Sequence, residues 1–157
     1  MNIKPVQFKL KGFTLIELLV VIAILGILAA AVLVAINPGK RTRQAQDAKR
    51  KNDVGALATE LQGYYTSPGG GIYPSNLGTL TSQEYLKQMP YDPTGAGGQV
   101  PYSFVTSGGA SGPTEVAVYA TLGEPTTGAK GTTVWCWRSS QASASEVTAG
   151  GSGCTAP

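Results

Sequence analysis

The stretch KGFTLIELLVVIAILGILAAAVLVAI, residues 11–36, decides the architecture of this chain. From Leu18 to Ile36, nineteen consecutive residues carry neither a charge nor a polar side chain. As a helix they rise about 28 Å, against a hydrocarbon core of about 30 Å, which is enough to cross a bilayer. Gly26 is the one weak helix former among them. Asn37-Pro38-Gly39 follows as a stop signal, because proline disfavours helix at the residue before it and glycine loosens the chain. The span is therefore expected to end or kink at residues 37–39. Glu17 is out of place, a carboxylate just ahead of a run otherwise fit for lipid.

Beyond the stop, residues 40–66 suit a second helix with two unlike halves. Up to Asp53 it is polar on every side, with Lys40, Arg41, Arg43, Lys49, Arg50 and Lys51 set against Asp47 and Asp53. From Val54 an apolar stripe begins at Val54, Leu57, Leu61 and Tyr64 or Tyr65, a spacing that lays one helical face on a core. Only the second half is expected to pack on a globular domain, and the first half reads as a stalk. Its basic cluster is either a solvated or headgroup-facing surface or a contact for an acidic partner.

The remaining residues, 67–157, carry the signals of a small α+β domain. SPGGGIYP at residues 67–74 is turn chemistry, its glycines supplying positive φ. It lacks the Lys-Ser/Thr and helix that a phosphate cradle needs. Thr81-Ser82-Gln83-Glu84 has capping-box spacing and predicts a short helix over residues 84–87. Alternating strands are expected at residues 102–106, 115–122 and 132–138, giving an antiparallel sheet of three to four strands packed on the helix stripe. On the last of them Trp135 and Trp137 share one face, and Val134 and Cys136 the other. The tryptophans are expected to face the helix, the alternative being an exposed pair that binds something. The tail from Ser139 has little to bury and by composition is expected to be disordered unless Cys154 fastens it.

Composition narrows the function further. The chain of 157 residues has no histidine and two cysteines, Cys136 and Cys154. The commonest general base and metal ligand is thus missing, and two cysteines cannot close a structural zinc site. They read as one disulfide made in an oxidising compartment, and the loop it closes is worth about 3 kcal/mol in the chain-entropy model. No nucleophile–base pair and no calcium-loop spacing is present, so neither an enzyme, a cofactor nor a metal site is expected. The net charge of +3 comes from Lys4, Lys9 and Lys11; without residues 1–12, nine basic and nine acidic side chains remain. The basic balance is no evidence for a nucleic-acid partner.

Two processing schemes fit residues 1–36. A secretory signal peptide would be cut after Ala29-Ala30-Ala31 and release a soluble binding domain, but a carboxylate opposes insertion of its apolar region by up to about 2.5–3.5 kcal/mol at a helix centre. The other scheme starts from Gly12-Phe13-Thr14-Leu15-Ile16-Glu17 behind a short basic leader. This motif closely resembles the class III signal of type IV pilins and type II secretion pseudopilins, and MPYDPTGAGGQVPYSFV, residues 89–105, is similar to that family's Pro-Asp-Pro segment leading to a strand.

The resemblance implies removal of a leader over residues 1–12 by a prepilin peptidase that also methylates Phe13. It implies a filament-core helix over 13–37, a second helical half over 38–66, and a globular domain over 67–157. It further implies a single-pass precursor in the cytoplasmic membrane and a periplasmic or extracellular filament of identical subunits. That filament would be raised by an inner-membrane assembly platform and its ATPase-driven machinery. Glu17 would meet the new amine of a neighbouring subunit, neutralising two desolvated charges and fixing the axial register. Against this stands the plainer reading that Glu17 snorkels to the headgroups. The sequence departs from many family members in having Val34 where they carry a proline, so local melting on assembly is expected at Gly26 or at residues 37–39. The C-terminal cysteine loop is more like a type IV pilin, while a pseudopilin is the alternative.

Overall fold

A computed structural model describes residues 12–95, 99–109, 111–149 and Cys154. The basic leader expected at residues 1–12 lies, apart from Gly12, outside the described residues. The elements in chain order are α1 (Leu15–Ile36), α2 (Pro38–Thr66), α3 (Gly78–Ser82), β1 (Ser103–Gly109), β2 (Gly112–Thr121), β3 (Thr133–Arg138) and β4 (Ser143–Thr148). They fall into two compact units, Met1–Pro38 and Gly39–Pro157.

In the first unit, α1 runs unbroken through Gly26 and none of its residues is buried. Val34 exposes 84% of its surface, and every large apolar side chain of the helix is exposed. Twenty-two residues span about 33 Å, so the helix is long and apolar enough to cross a membrane. It ends at Asn37, which takes the left-handed conformation (φ 46°) and caps the helix, and Pro38 opens α2. Asparagine is the residue best suited to that backbone after glycine, and proline is tolerated where a helical N–H has no partner. The interruption at residues 37–39 is thus a C-cap followed directly by a new helix start.

In the second unit, α2 lays Val54, Leu57, Ala58 and Leu61 against one face of a four-stranded antiparallel sheet of order β1-β2-β3-β4. Val116, Val118 and Ala120 of β2 and Trp137 of β3 complete that core, with Phe104, Trp135 and Ala144 at its margin. The two tryptophans therefore face the helix. The register places Trp135 opposite Ala120 and Glu146, and Trp137 opposite Val118 and Ala144. The opposite face carries Ala117, Val134 and Cys136, with Tyr119 and Val147 alongside. Cys136 is joined to Cys154, with Cα atoms 5.9 Å apart, so the disulfide holds the chain against this outer face.

Two expectations need correction, and the tail that Cys154 fastens is more ordered than its composition alone suggests. The short helix lies at Gly78–Ser82, and Glu84 has φ 62°, outside any helix. Asn76 Oδ1 accepts the Thr79 amide at 3.2 Å and starts the turn five residues earlier than the Thr81 capping spacing proposes. β1 and β2 pair antiparallel as far as Gly109 and Gly112, so both strands extend well beyond the predicted ends at residues 106 and 115. The tail after Ser139 holds a fourth strand, β4, in full register with β3. Composition underrates it because its stability comes from backbone hydrogen bonds, from Val147 beside the disulfide cluster and from Glu146, not from an apolar run.

Leu57 and Leu61 are fully buried at the centre of the helix–sheet contact. Truncating Leu57 to Ala is expected to cost about 2–5 kcal/mol through lost transfer energy and the cavity left behind. Denaturant unfolding of the detergent-solubilised chain checks this; a loss within about 0.5 kcal/mol, the usual size for surface positions, would contradict the packing.

Candidate functional site: the start of α1 and the charged half of α2

Thr14 stands at the N-cap of α1 in extended backbone. Its hydroxyl accepts the Glu17 amide at 3.3 Å, and Glu17 Oε2 in turn accepts the Thr14 amide at 2.9 Å and the Thr14 hydroxyl at 2.7 Å. This is a reciprocal capping box, which satisfies the amides of Thr14 and Glu17 and sets a negative group at the positive end of the helix. Both bonds that the carboxylate accepts fall on Oε2, so among the described residues the other oxygen remains available. Phe13 and Ile16 beside it are exposed. The structure therefore places Gly12, Phe13 and Glu17 together at one helix end, with the carboxylate one turn from the Gly12-Phe13 junction.

The charged half of α2 is not the polar stalk that its composition suggests. Asp47 and Arg50 are buried, each side chain exposing 6% of its surface. Arg50 Nη1 donates to Asp47 Oδ1 at 2.7 Å, Nε donates to Asp92 Oδ2 at 2.7 Å, and Nη2 donates to Asp92 Oδ1 at 2.9 Å and to Thr94 at 2.8 Å. Asp47 also accepts the backbone amides of Gly123 at 2.9 Å and Glu124 at 2.6 Å. One helical turn thereby holds the Pro-Tyr-Asp-Pro segment and the β2–β3 loop together. The fork of Arg50 matches the Asp92 carboxylate bidentately, which a lysine could not do.

Neighbouring residues repeat the pattern. Lys49 pairs with Asp53, and Asp53 accepts the buried Tyr102 hydroxyl at 2.6 Å. Arg43 pairs with Glu124 at 2.8 Å, and Lys130 pairs with the same carboxylate oxygen at 2.5 Å. Lys51 donates to Glu146 Oε1 at 2.8 Å while its ammonium lies 4.6 Å from the Trp135 ring centroid. Glu146 Oε2 accepts the amides of Thr126 and Thr127, both at 2.8 Å. Arg43, Arg50 and Lys51 are thus committed to acids of their own domain. Sequence reasoning read them as a solvated or partner-facing cluster and missed their pairing within the domain, because it followed only apolar periodicity. Continued toward the N-terminus, the same three-and-four spacing runs from Leu57 through Val54 to Arg50 and Asp47. Among the described residues, no group of three or more His, Cys, Asp or Glu could hold a metal ion.

The sequence of the chain matches a family model described as the prokaryotic N-terminal methylation motif over residues 8–33. The type II secretion system core protein G of Pseudomonas aeruginosa is 36% identical over 114 residues, covering 62% of this chain and 74% of that protein. The corresponding core protein G of Dickeya chrysanthemi is 32% identical over 133 residues, covering 74% of this chain and 81% of that protein. The chain belongs to the type IV pilin and pseudopilin family. The fimbrial protein EcpC of Eikenella corrodens is 31% identical over 115 residues, covering 70% of this chain and 71% of that protein. No solved structure matches. This pilin-like chain is a filament subunit of a structural family, and its apolar α1 fits a membrane-anchored precursor.

Acid sensitivity of this pilin-like fold follows from two carboxylates. Hydrogen bonds from Arg50 hold Asp92 well below the usual carboxylate range; burial opposes them and Thr94 adds to them. Burial raises Glu146, but the bonds from Lys51, Thr127 and Thr126 outweigh it and bring the group down to about 2 from 4.5. A folded-state value below the unfolded one contributes stability above the unfolded value and loses it as pH falls. Thermal melts should therefore drop steeply from about pH 4.5 toward pH 2, and Asp92→Asn and Glu146→Gln should each flatten that drop. Arg50→Ala should cost about 3–5 kcal/mol at neutral pH, since it strands buried acids. An Arg50→Ala chain as stable as the parent would refute the network.

Proposed function

We propose that the chain is made as a single-pass precursor in the cytoplasmic membrane, cut between Gly12 and Phe13 and methylated at Phe13. It then polymerises through α1 into a pilus-like filament of identical subunits. The observation that carries this reading is the position of Glu17, one turn from the Gly12-Phe13 junction at the head of an apolar helix with no buried residue. Such a helix needs either lipid or other apolar helices around it, and a filament core supplies the second. The cut would create a positive amine, giving Glu17 of a neighbouring subunit a counter-charge in a site without water. The capping box supports this role, because it leaves one carboxylate oxygen of Glu17 unused and fixes the other at the helix start. A prepilin peptidase with methyltransferase activity, an inner-membrane platform and its ATPase-driven machinery are the partners this requires.

A second reading, a major pseudopilin of a type II secretion system, is favoured by the names of two of the relatives described above. The two differ in where the filament ends: imaging a deletion strain for lost surface fibres supports the pilus, whereas intact fibres with a secretion defect support the pseudopilus.

Intact mass of the chain from its own cells should show a start at Phe13 carrying one extra methyl group. A start at Val32 would instead mean release by signal peptidase. Glu17→Ala should be processed normally yet be lost from filaments, and a normal filament yield from that variant would sink the charge pairing.

A further inference from the structure

Among the described residues, most charged side chains of the second unit are paired within it, and one buried acid atom is not. Glu115 Oε2 is buried with no hydrogen-bond partner. Glu115 also lines a cavity of about 290 Å³, together with Tyr65, Tyr73, Thr114, Ser139 and Ser140. The Tyr65 and Tyr73 rings lie 4.5 Å apart, centroid to centroid, and form an aromatic wall. Burial, and after it the Tyr65 hydroxyl and the Glu115 carboxylate, push the Tyr73 phenol up, while a hydrogen bond with Ser139 pulls it down.

The lining selects a ligand class. A buried carboxylate oxygen without a partner costs stability until a donor reaches it. One carboxylate among neutral hydroxyls is a poor calcium site, which takes six to eight oxygens and usually several charges. A planar guanidinium suits it better: it donates several hydrogen bonds in one plane, to the carboxylate and to hydroxyls, and stacks on aromatic rings. The same unit carries an exposed guanidinium with no partner among the described residues, that of Arg41.

Position makes the pair informative. Arg41 lies in the first turn of α2 and Tyr65 in its last, 24 residues apart, so the cation and the pocket sit about 36 Å from each other at opposite ends of one helix. They cannot meet within a subunit. Two different, complementary features of one subunit that meet between copies make a heterologous contact, and such contacts propagate into open filaments when the rotation does not close a ring. We infer that the Glu115 pocket of one copy receives the Arg41 side chain of another, a head-to-tail contact between globular units in the filament. The inference rests on the filament reading for the identity of the partner, but not for the ligand class.

Two experiments test it. In the first, Glu115→Arg and Arg41→Glu are each made in the native host. Both should be processed to the mature mass and keep the parent's melting temperature within a few degrees, yet lose most filaments; the double charge swap should restore them. Filaments at the parent's yield in either single variant, or none in the double swap, would overturn the contact. Loss of the mature Arg41→Glu chain from the membrane would assign Arg41 to lipid headgroups and overturn it as well.

In the second, ethylguanidinium is titrated into the detergent-solubilised chain and the Tyr65 and Tyr73 ring resonances are followed. They should shift in the parent and not in Glu115→Gln, and Glu115→Gln should melt higher by about 2–4 °C because it relieves the buried charge. No shift in the parent would refute the pocket even if filaments form. A shift from a chain that makes no filaments would leave the ligand class standing and remove the filament reading.

Discussion

Arg50 is the residue on which the rest of the second unit depends. Its guanidinium satisfies Asp47 on its own helix and Asp92 in the Pro-Tyr-Asp-Pro segment, and Asp47 reaches on to the amides of Gly123 and Glu124. Three segments far apart in sequence are thus held by one buried cation. A buried cation of this kind is tolerated only when every donor has an acceptor, so the network constrains the whole arrangement of loops. Removing any member leaves an uncompensated charge, which is why the constraint acts on all of them together.

The two units divide two physical tasks. α1 carries apolar surface, and none of its residues is buried among the described residues. The second unit covers its own apolar surface between α2 and the sheet, and spends its charges on internal pairs such as Lys51–Glu146 and Arg43–Glu124. A subunit that leaves the membrane without unfolding its exposed domain needs this separation, because the domain's stability then does not rest on what surrounds α1. Asn37 and Pro38 mark the border, ending one hydrogen-bonded helix and starting the next.

Much of this organisation was legible in the residues themselves. The nineteen apolar residues from Leu18, the stop at residues 37–39 and the stripe at Val54, Leu57 and Leu61 each follow from local periodicity, and so does the shared face of Trp135 and Trp137. Polar residues were read less well. Arg50 and Asp47 look like a solvated surface until Asp92, more than forty residues on, is seen beside them. The fourth strand was hidden for a related reason: SASEVT has no apolar run, and β4 exists because β3 offers it a free edge. The displaced α3 shows the limit of cap motifs, since Asn76 and Thr81 both present cap signals and only the folded chain chooses between them.

The amino-acid sequence by itself therefore determined the membrane-length helix, the family and the candidate processing junction at Gly12 and Phe13, because each rests on neighbours within one or two turns. Only the tertiary structure decided which charges are buried, that the tail holds a strand and that Glu115 Oε2 has no hydrogen bond among the described residues. These depend on contacts between residues distant in the chain, and the energy of a charge is set by what surrounds it rather than by its place in a sequence.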